Sequence, residues 1–153
     1  MNAEDRLRAQ GIVLPPAESP SFNYQPLSIE NGVVYLSGHQ AKEDNDIRER
    51  GRAGIEVETE EAARQMSLSA QLVLSRLKHE LGSLDSVRRI LHMHAYVACD
   101  HNYEHISTLA DHASDVFITA FGDAGRHPRS VLGVMRLPQN APVMIDVRVA
   151  IES

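Results

Sequence analysis

Arg129 stands in the stretch HPRSVLGVMRLP, residues 127–138, directly after a proline and at the start of an apolar run. A guanidinium on a stiffly held strand end is a fixed two-pronged donor for a carboxylate or a phosphate. The same residue could equally be a solvated strand end. The pattern therefore makes Arg129 a candidate anchor for an anionic ligand, with a structural role as the alternative.

Eight histidines in a chain of 153 residues raise the question of a metal site. His101, His105 and His112 are spaced so that one stripe of a helix would carry all three. No Cys or Glu completes a recognised zinc pattern with them. We therefore expect no bound metal and interpret these residues as a solvated helix edge.

Three further histidines lie in or next to predicted strands. His92 and His94 would share one strand face, because side chains alternate there, as either polar pocket residues or hydrogen-bonded sheet residues. His39 follows Ser37 and Gly38 at a strand end, as either a pocket residue or a turn residue bonded to the backbone. The sequence has no GxxxxGK[ST] phosphate loop and no GxGxxG motif after a strand.

Composition excludes several classes of function. The chain has a net charge of -6, whereas nucleic-acid-binding proteins usually carry an excess of basic residues. The short basic run 48–52 is typical of an exposed loop. Cys99 is the sole cysteine, which rules out an intrachain disulfide and favours a reducing, cytoplasmic setting. No apolar stretch is long enough for a signal peptide or a membrane span, so we expect a soluble protein without a membrane partner.

Two amphipathic helices are predicted to position the candidate residues. Apolar spacing predicts a helix over 59–81, with Thr59 as N-cap, Met66 in the core and Gly82 at the C-terminal end. A second helix is expected to be capped by Asp100 and to end at Gly122. Prolines predict that residues 1–20 are irregular, and residues 41–54 read as a loop with a short irregular hairpin.

Strands are predicted before, between and after these helices, at 33–37 after an Asn-Gly turn and at 86–99, 130–137 and 142–151, with one more in the N-terminal segment. This order favours a sheet with both helices on one face. In the last strand apolar residues alternate with a mixed set: Met144, Asp146, Arg148, Ala150 and Glu152. The uncovered face therefore needs a partner, and we expect a homo-oligomer.

Two segments resemble a known family. RHPRSVLGVMRLPQNAPVMIDVRVA is similar to the C-terminal signature of the RidA family, also called YjgF or L-PSP, with its Arg-Ser pair, short strand, Leu-Pro turn and final strand. FNYQPLSIENGVVYLSGHQ is similar to the family's Pro-Tyr segment and first strand, which ends in Ser-Gly. The resemblance spans roughly residues 20 to 150, and its departures indicate a divergent branch.

The resemblance implies a chorismate-mutase-like α+β fold of the βαβ-βαβ type, as one domain over residues 1–153, assembled as a trimer with pockets between subunits. In active members an arginine holds the carboxylate of a 2-imino acid, which water hydrolyses to a 2-keto acid and ammonia without a cofactor. That catalytic arginine corresponds to Arg129. Tyr24, Ser37 and Gly38 correspond to pocket residues, and His39 adjoins them.

One departure bears on activity: the glutamate that positions water in active members corresponds to Met144, and a thioether cannot act as a general base. Two hypotheses remain for this carboxylate-binding pocket. The first is an imine or enamine hydrolase in which His39, Asp146 or His94 assists the water. The second is a ligand-binding or regulatory protein without hydrolysis. A third, endoribonuclease, is disfavoured by the acidic charge.

Overall fold

The computed structural model describes residues 1–20 and 22–152 and contains three α-helices and seven β-strands within them. The helices are α1 (Ala3–Ala9), α2 (Thr59–Leu81) and α3 (Ile106–Phe121). The strands are β1 (Leu27–Glu30), β2 (Val33–Leu36), β3 (Lys42–Glu43), β4 (Asp46–Ile47), β5 (Val87–Ala98), β6 (Arg129–Val134) and β7 (Val143–Ile151).

Five strands form one mixed sheet in the order β1-β2-β7-β5-β6. Only β5 and β6 run parallel, and the other neighbours are antiparallel. β7 lies in the middle, where Val143, Ile145, Val147 and Val149 are buried on one face as the alternation predicted. The expected α+β fold with a mixed sheet is confirmed.

Helix α2 begins and ends where its apolar spacing predicts. Met66 is fully buried in the core, and Gly82 closes the helix with a left-handed conformation, φ 82°. The predicted N-cap is wrong, because Glu58 occupies that position and makes no side-chain capping bond. The Thr59 hydroxyl is instead hydrogen-bonded to the hydroxyl of Tyr103, 2.9 Å away.

Helix α3 starts later than predicted. Asp100 does not cap it; its carboxylate accepts a hydrogen bond from the amide of Asn102 and stabilises a turn before the helix. The helix begins at Ile106 with His105 as its N-cap residue and ends before Gly122. His101 therefore lies outside the helix, and the predicted stripe of three histidines does not form.

The N-terminal segment is not wholly irregular as predicted. Residues Ala3–Ala9 form α1, which starts with a reciprocal capping box between Asn2 and Asp5. Leu7 is fully buried, and the Arg6 guanidinium donates to the carbonyl of Ala120 at the end of α3. The prolines that suggested irregularity all lie after this helix, so they do not interrupt it.

The predicted Asn-Gly turn and the predicted short hairpin in the polar loop are both present. Asn31 and Gly32 have φ values of 52° and 76° and join β1 to β2. Asp44 and Asn45, with φ values of 53° and 63°, join β3 to β4 within the polar loop.

One sheet face packs against α2 and α3, and no helix of the described residues covers the other. Tyr35, Arg148 and His92 are cross-strand neighbours on that uncovered face, and the Arg148 guanidinium lies 5.8 Å from the centre of the Tyr35 ring. Leu132 is 43% exposed there. None of the helices in residues 1–20 and 22–152 has the length and apolar content needed to cross a bilayer.

Candidate functional site

Arg129, the predicted anchor, is held by α3. Its Nη1 donates to the Ser114 hydroxyl at 3.0 Å, and its Nη2 donates to the Ser107 carbonyl at 3.3 Å. Nη2 also forms an ion pair with Asp111, at 2.8 Å. The guanidinium is therefore fixed in position, with a carboxylate of its own chain already beside it.

Sequence reasoning missed these three helix residues. Ser107, Asp111 and Ser114 follow one another at intervals of four and three, so they lie on one stripe of α3. That spacing was readable, but nothing in the sequence indicated which strand would pack against the stripe. The parallel pairing of β6 with β5 decides it, because it places the start of β6 under α3.

His127 supports the same arrangement. Its Nδ1 lies 2.6 Å from the carbonyl of Gly125, which can only accept, so Nδ1 carries the proton. Nε2 then accepts from the Ser114 hydroxyl at 3.0 Å, which leaves the Ser114 oxygen free to accept from Arg129. Burial lowers the pKa of His127, which favours this neutral form.

Four predicted site residues line one cavity of about 50 Å³: Tyr24, Ser37, Gly38 and His39. The cavity lies between the segment before β1, the chain after β2, and α2. Its other wall residues are Glu18, Ser19, Pro20, Pro26, Gln40, Lys42, Leu72 and Arg76. The Ser37 hydroxyl donates to the Pro26 carbonyl at 3.1 Å, which ties the two chain segments together.

His39 is both a turn residue and a wall of this cavity. It pairs with Ile145 of β7, so its side chain lies on the helix-covered side of the sheet. Nδ1 donates to the Ser37 carbonyl at 2.8 Å, which leaves Nε2 as the acceptor nitrogen. Burial lowers the pKa of His39, and the charges of Arg76 and Lys42 lower it further. The imidazole is therefore neutral at pH 7.

Met144 lies on the opposite side of the sheet and packs against Gly38. A Cβ atom built on Gly38 would lie only 2.6 Å from the Met144 sulfur. Glycine at this position thus allows the thioether to approach the backbone closely. The site that the resemblance assigns to a water-positioning glutamate is filled by an apolar side chain.

Asp146 is also on the uncovered face, and both of its carboxylate oxygens have partners. His94 Nδ1 donates to Oδ1 at 2.9 Å, and the Tyr96 hydroxyl donates to Oδ2 at 3.0 Å. Burial raises the pKa of Tyr96, and the Asp146 carboxylate raises it further. The ring of His92 lies 4.6 Å from that of His94, centre to centre. His92 and His94 are thus sheet histidines, one of them bonded to a carboxylate.

The structure consequently distributes the predicted site residues over three places. Arg129 lies at one edge of the sheet under α3, and the cavity lies beyond β2 toward the other edge. Three inter-strand spacings separate β2 from β6, which is about 14 Å. Met144 and Asp146 lie on the uncovered face. Arg129, Met144 and Asp146 thus do not line the cavity that the other four predicted site residues share.

Two other sequence features, the possible metal ligands and the single cysteine, do not form a functional site in the described residues. Within the described part of the chain, no three His, Cys, Asp or Glu side chains cluster closely enough to hold a metal ion. Cys99 is half-buried, and burial, with the charge of Asp100, raises the pKa of its thiol. A raised thiol pKa disfavours the thiolate, so Cys99 is a poor nucleophile.

The comparisons with known proteins agree with this fold. A model of the family described as "YjgF/chorismate mutase-like, putative endoribonuclease" matches residues 4–150. The chain belongs to the YjgF family, which is also called RidA. The predicted membership is confirmed, and so is the predicted fold class.

Three known proteins differ in their similarity to this chain. Protein TCP17 of Trypanosoma cruzi is 30% identical over 148 residues, which cover 96% of this chain and 92% of that protein. The crystal structure of Atu1372, a protein of unknown function from Agrobacterium tumefaciens, aligns with a TM-score of 0.90 and 33% identity, covering 98% and 92% of the two chains. RidA from an Antarctic Psychrobacter aligns with a TM-score of 0.61 and 18% identity, covering 88% and 94%.

Proposed function

We propose that the protein binds a small carboxylate-bearing molecule, a 2-imino or 2-keto acid, with the guanidinium of Arg129. The observation that carries this proposal is the way Arg129 is held. Groups on α3 orient the guanidinium, while 24% of the side chain stays exposed. A pre-positioned guanidinium loses less side-chain entropy on binding a carboxylate than a mobile surface arginine does.

Asp111 competes with the ligand for the Arg129 guanidinium, but it does not block ligand binding. Its side chain is 60% exposed, and exposed ion pairs contribute only about 0 to 1 kcal/mol. A ligand carboxylate with better geometry can therefore displace Asp111 from the guanidinium at a small cost in free energy. The Ser107 carbonyl and the Ser114 hydroxyl hold the guanidinium during this exchange.

We propose that the ligand pocket forms between the subunits of a homotrimer. Within one chain, Arg129 is too far from Tyr24, Ser37 and Gly38 for one small acid to contact both groups. The uncovered sheet face, with its exposed Tyr35 and Leu132, supplies a surface through which copies of the chain would associate. Association would bring Arg129 of one subunit to the cavity mouth of the next.

Binding without efficient hydrolysis has the stronger support. Hydrolysis needs a group that accepts a proton from water, and Met144 cannot do so. Asp146 accepts hydrogen bonds from both His94 and Tyr96, which hold its carboxylate against those two side chains and use about half of its acceptor positions. We therefore propose a ligand-binding protein whose imine turnover is close to the spontaneous rate.

Hydrolysis remains the second candidate because of the pair formed by Asp146 and His94. A carboxylate bonded to Nδ1 holds an imidazole in the tautomer whose Nε2 accepts protons, as in other acid-base sites. His94 and Met144 lie on the same sheet face. In this reading His94 would replace the missing glutamate as the general base.

Cleavage of RNA, which the family description includes, has less support in this chain. A net charge of -6 opposes binding to a phosphate backbone. On the uncovered face the exposed Tyr35 lies beside Arg148, but Asp146 lies on the same face, so the aromatic residue does not lie in a uniformly basic groove.

Calorimetric titration with 2-oxobutanoate tests the proposal, with Arg129→Ala as the variant and Arg126→Ala as the control. Arg126 is 68% exposed and its side chain pairs only with the exposed Asp123. A charge-assisted pair contributes about 2 to 4 kcal/mol when partly shielded, so Arg129→Ala should bind roughly 30- to 1000-fold more weakly. Equal binding by the two variants would show that the ligand site is elsewhere. Circular dichroism checks that both variants fold.

A further inference from the structure

The cavity beside His39 is lined by two cations in a chain whose net charge is negative. Arg76 of α2 and Lys42 of β3 both form part of its wall, against one acidic residue, Glu18. The Arg76 side chain is only 8% exposed. Burying a charge costs free energy unless an opposite charge compensates it, so these cations call for anionic partners.

Arg76 is compensated in part. Nη1 forms an ion pair with Glu80 at 3.2 Å, and Nη2 donates to the main-chain carbonyl of Glu18. Glu80 is itself 35% exposed, so water weakens this pair. The two contacts hold the guanidinium against the cavity wall.

The positive charge of Lys42 is not compensated by a carboxylate of the described residues. It is half-buried, yet no carboxylate of residues 1–20 or 22–152 lies within 4 Å of its ammonium group. The nearby imidazole of His39 is neutral and adds no positive charge. An anion in the cavity would therefore meet the positive charges of Arg76 and Lys42, while the neutral His39 ring, whose Nδ1 proton is used by the Ser37 carbonyl, would not donate to it.

We infer that Arg76 and Lys42 bind an acidic group of the ligand, which makes the ligand a short dicarboxylic 2-keto or 2-imino acid. The first carboxylate binds Arg129 of one subunit, and the second enters the cavity of the neighbouring subunit. This inference rests on the proposed function and specifies its ligand class. The cavity of about 50 Å³ has room for a carboxylate group.

Two acids of similar length test whether the ligand is dicarboxylic. 2-Oxoglutarate has a second carboxylate, and 2-oxohexanoate has an alkyl end instead. Titration of the wild-type protein should show that 2-oxoglutarate binds about 10- to 100-fold more tightly, the range expected for one charge-assisted contact. Equal affinities would overturn the inference and leave the proposed function standing. Binding of neither acid would refute both.

Lys42→Gln tests the residue, and Lys78→Gln is its control. Lys78 undergoes the same loss of charge, but its ammonium pairs with Glu4 of α1, away from the cavity. Lys42→Gln should bring the affinity for 2-oxoglutarate near that for 2-oxohexanoate without changing the latter. Lys78→Gln should leave both unchanged. An equal loss for both acids, or no loss for either, would overturn the assignment of Lys42.

Glu80→Gln gives an independent readout that a merely structural role of Arg76 does not predict. Glu80 competes with the ligand for the guanidinium, so its neutralisation should strengthen 2-oxoglutarate binding by about two- to fivefold. The affinity for 2-oxohexanoate should not change. Weaker binding of 2-oxoglutarate by this variant would mean that Arg76 does not contact the acid.

Discussion

Asp111 and Arg129 form an ion pair of 2.8 Å between α3 and β6, at the position where the ligand's carboxylate is proposed to bind. The pair gives the apo protein an internal carboxylate that resembles the ligand group. Its exposed partner is Asp111, and its shielded partner is Arg129. Removal of the competing charge should therefore reveal whether the guanidinium is the anchor.

Asp111→Asn should bind 2-oxobutanoate about two- to fivefold more tightly than the wild type, because an exposed pair of this kind is worth at most about 1 kcal/mol. Calorimetric titration at low salt measures the change. Asp115→Asn, on the next turn of the same helix and also exposed, is the matched control and should have little effect. Unchanged or weaker binding by Asp111→Asn would argue against Arg129 as the anchor.

Met144→Glu should add imine hydrolysis to the protein. Glutamate is close to methionine in length and fits against Gly38, and general-base assistance contributes about 10²- to 10⁴-fold to such reactions. Keto-acid release in a reaction coupled to an amino-acid oxidase, with semicarbazide trapping, measures the remaining imine. Met144→Gln has the same shape without the base and should remain inactive. Rapid turnover by the wild type, lost in His94→Asn, would instead establish the second candidate function.

Light scattering at micromolar concentration should give a mass of about 51 kDa, three times the 17.0 kDa chain. Leu132→Glu places a charge on the uncovered face and should dissociate the assembly. Ile55→Glu is the control, since Ile55 is 49% exposed in the loop before α2. A wild-type monomer would contradict the proposed trimer and the pocket between subunits.

The free energy of unfolding should fall as the pH is lowered from 7.5 to 5.5. Burial lowers the pKa of His39 and His127 below the usual 6.5, so the unfolded chain binds more protons than the native protein in this range. Each histidine contributes a slope of at most about 1.4 kcal/mol per pH unit. Carboxylates whose pKa is lowered in the native protein, such as Glu61, change the free energy of unfolding only below about pH 4.5, which is outside this range.

Urea denaturation at a fixed protein concentration measures this dependence. His39→Gln and His127→Gln should each flatten it, and His79→Gln, whose side chain is 67% exposed, should not. A slope that neither variant changes would place the responsible groups elsewhere.

Gly125→Ala should destabilise the protein by more than about 2 kcal/mol. A Cβ atom there would lie 2.1 Å from the carbonyl oxygen of Phe117, and backbone atoms cannot yield as a side chain does. The segment that carries His127 would have to move, which would also disturb Ser114 and Arg129. Thermal unfolding measures the loss, and Gly82→Asn, at a helix end with open space around it, should cost much less.

Much of the secondary structure could be predicted because it depends on local periodicity. The apolar spacing of α2, the alternation in β7 and the Asn31-Gly32 turn each lie within one segment and each proved correct. The start of α3 could not be predicted from its capping residue. Asp100 has the chemistry of an N-cap, but it uses that chemistry to stabilise a turn, and the two outcomes look alike in sequence.

The sequence by itself determined the residue types of the candidate site and, through the resemblance, the family. Only the tertiary structure decided how those residues are grouped. Tyr24 and His39 meet in a cavity because the chain after β2 packs against α2, and Arg76 joins them from a distant part of the sequence. Arg129 faces Asp111 because β6 pairs in parallel with β5 beneath α3. These contacts depend on strand order and pairing direction, which no local pattern encodes, because they follow from how the whole chain buries its apolar faces.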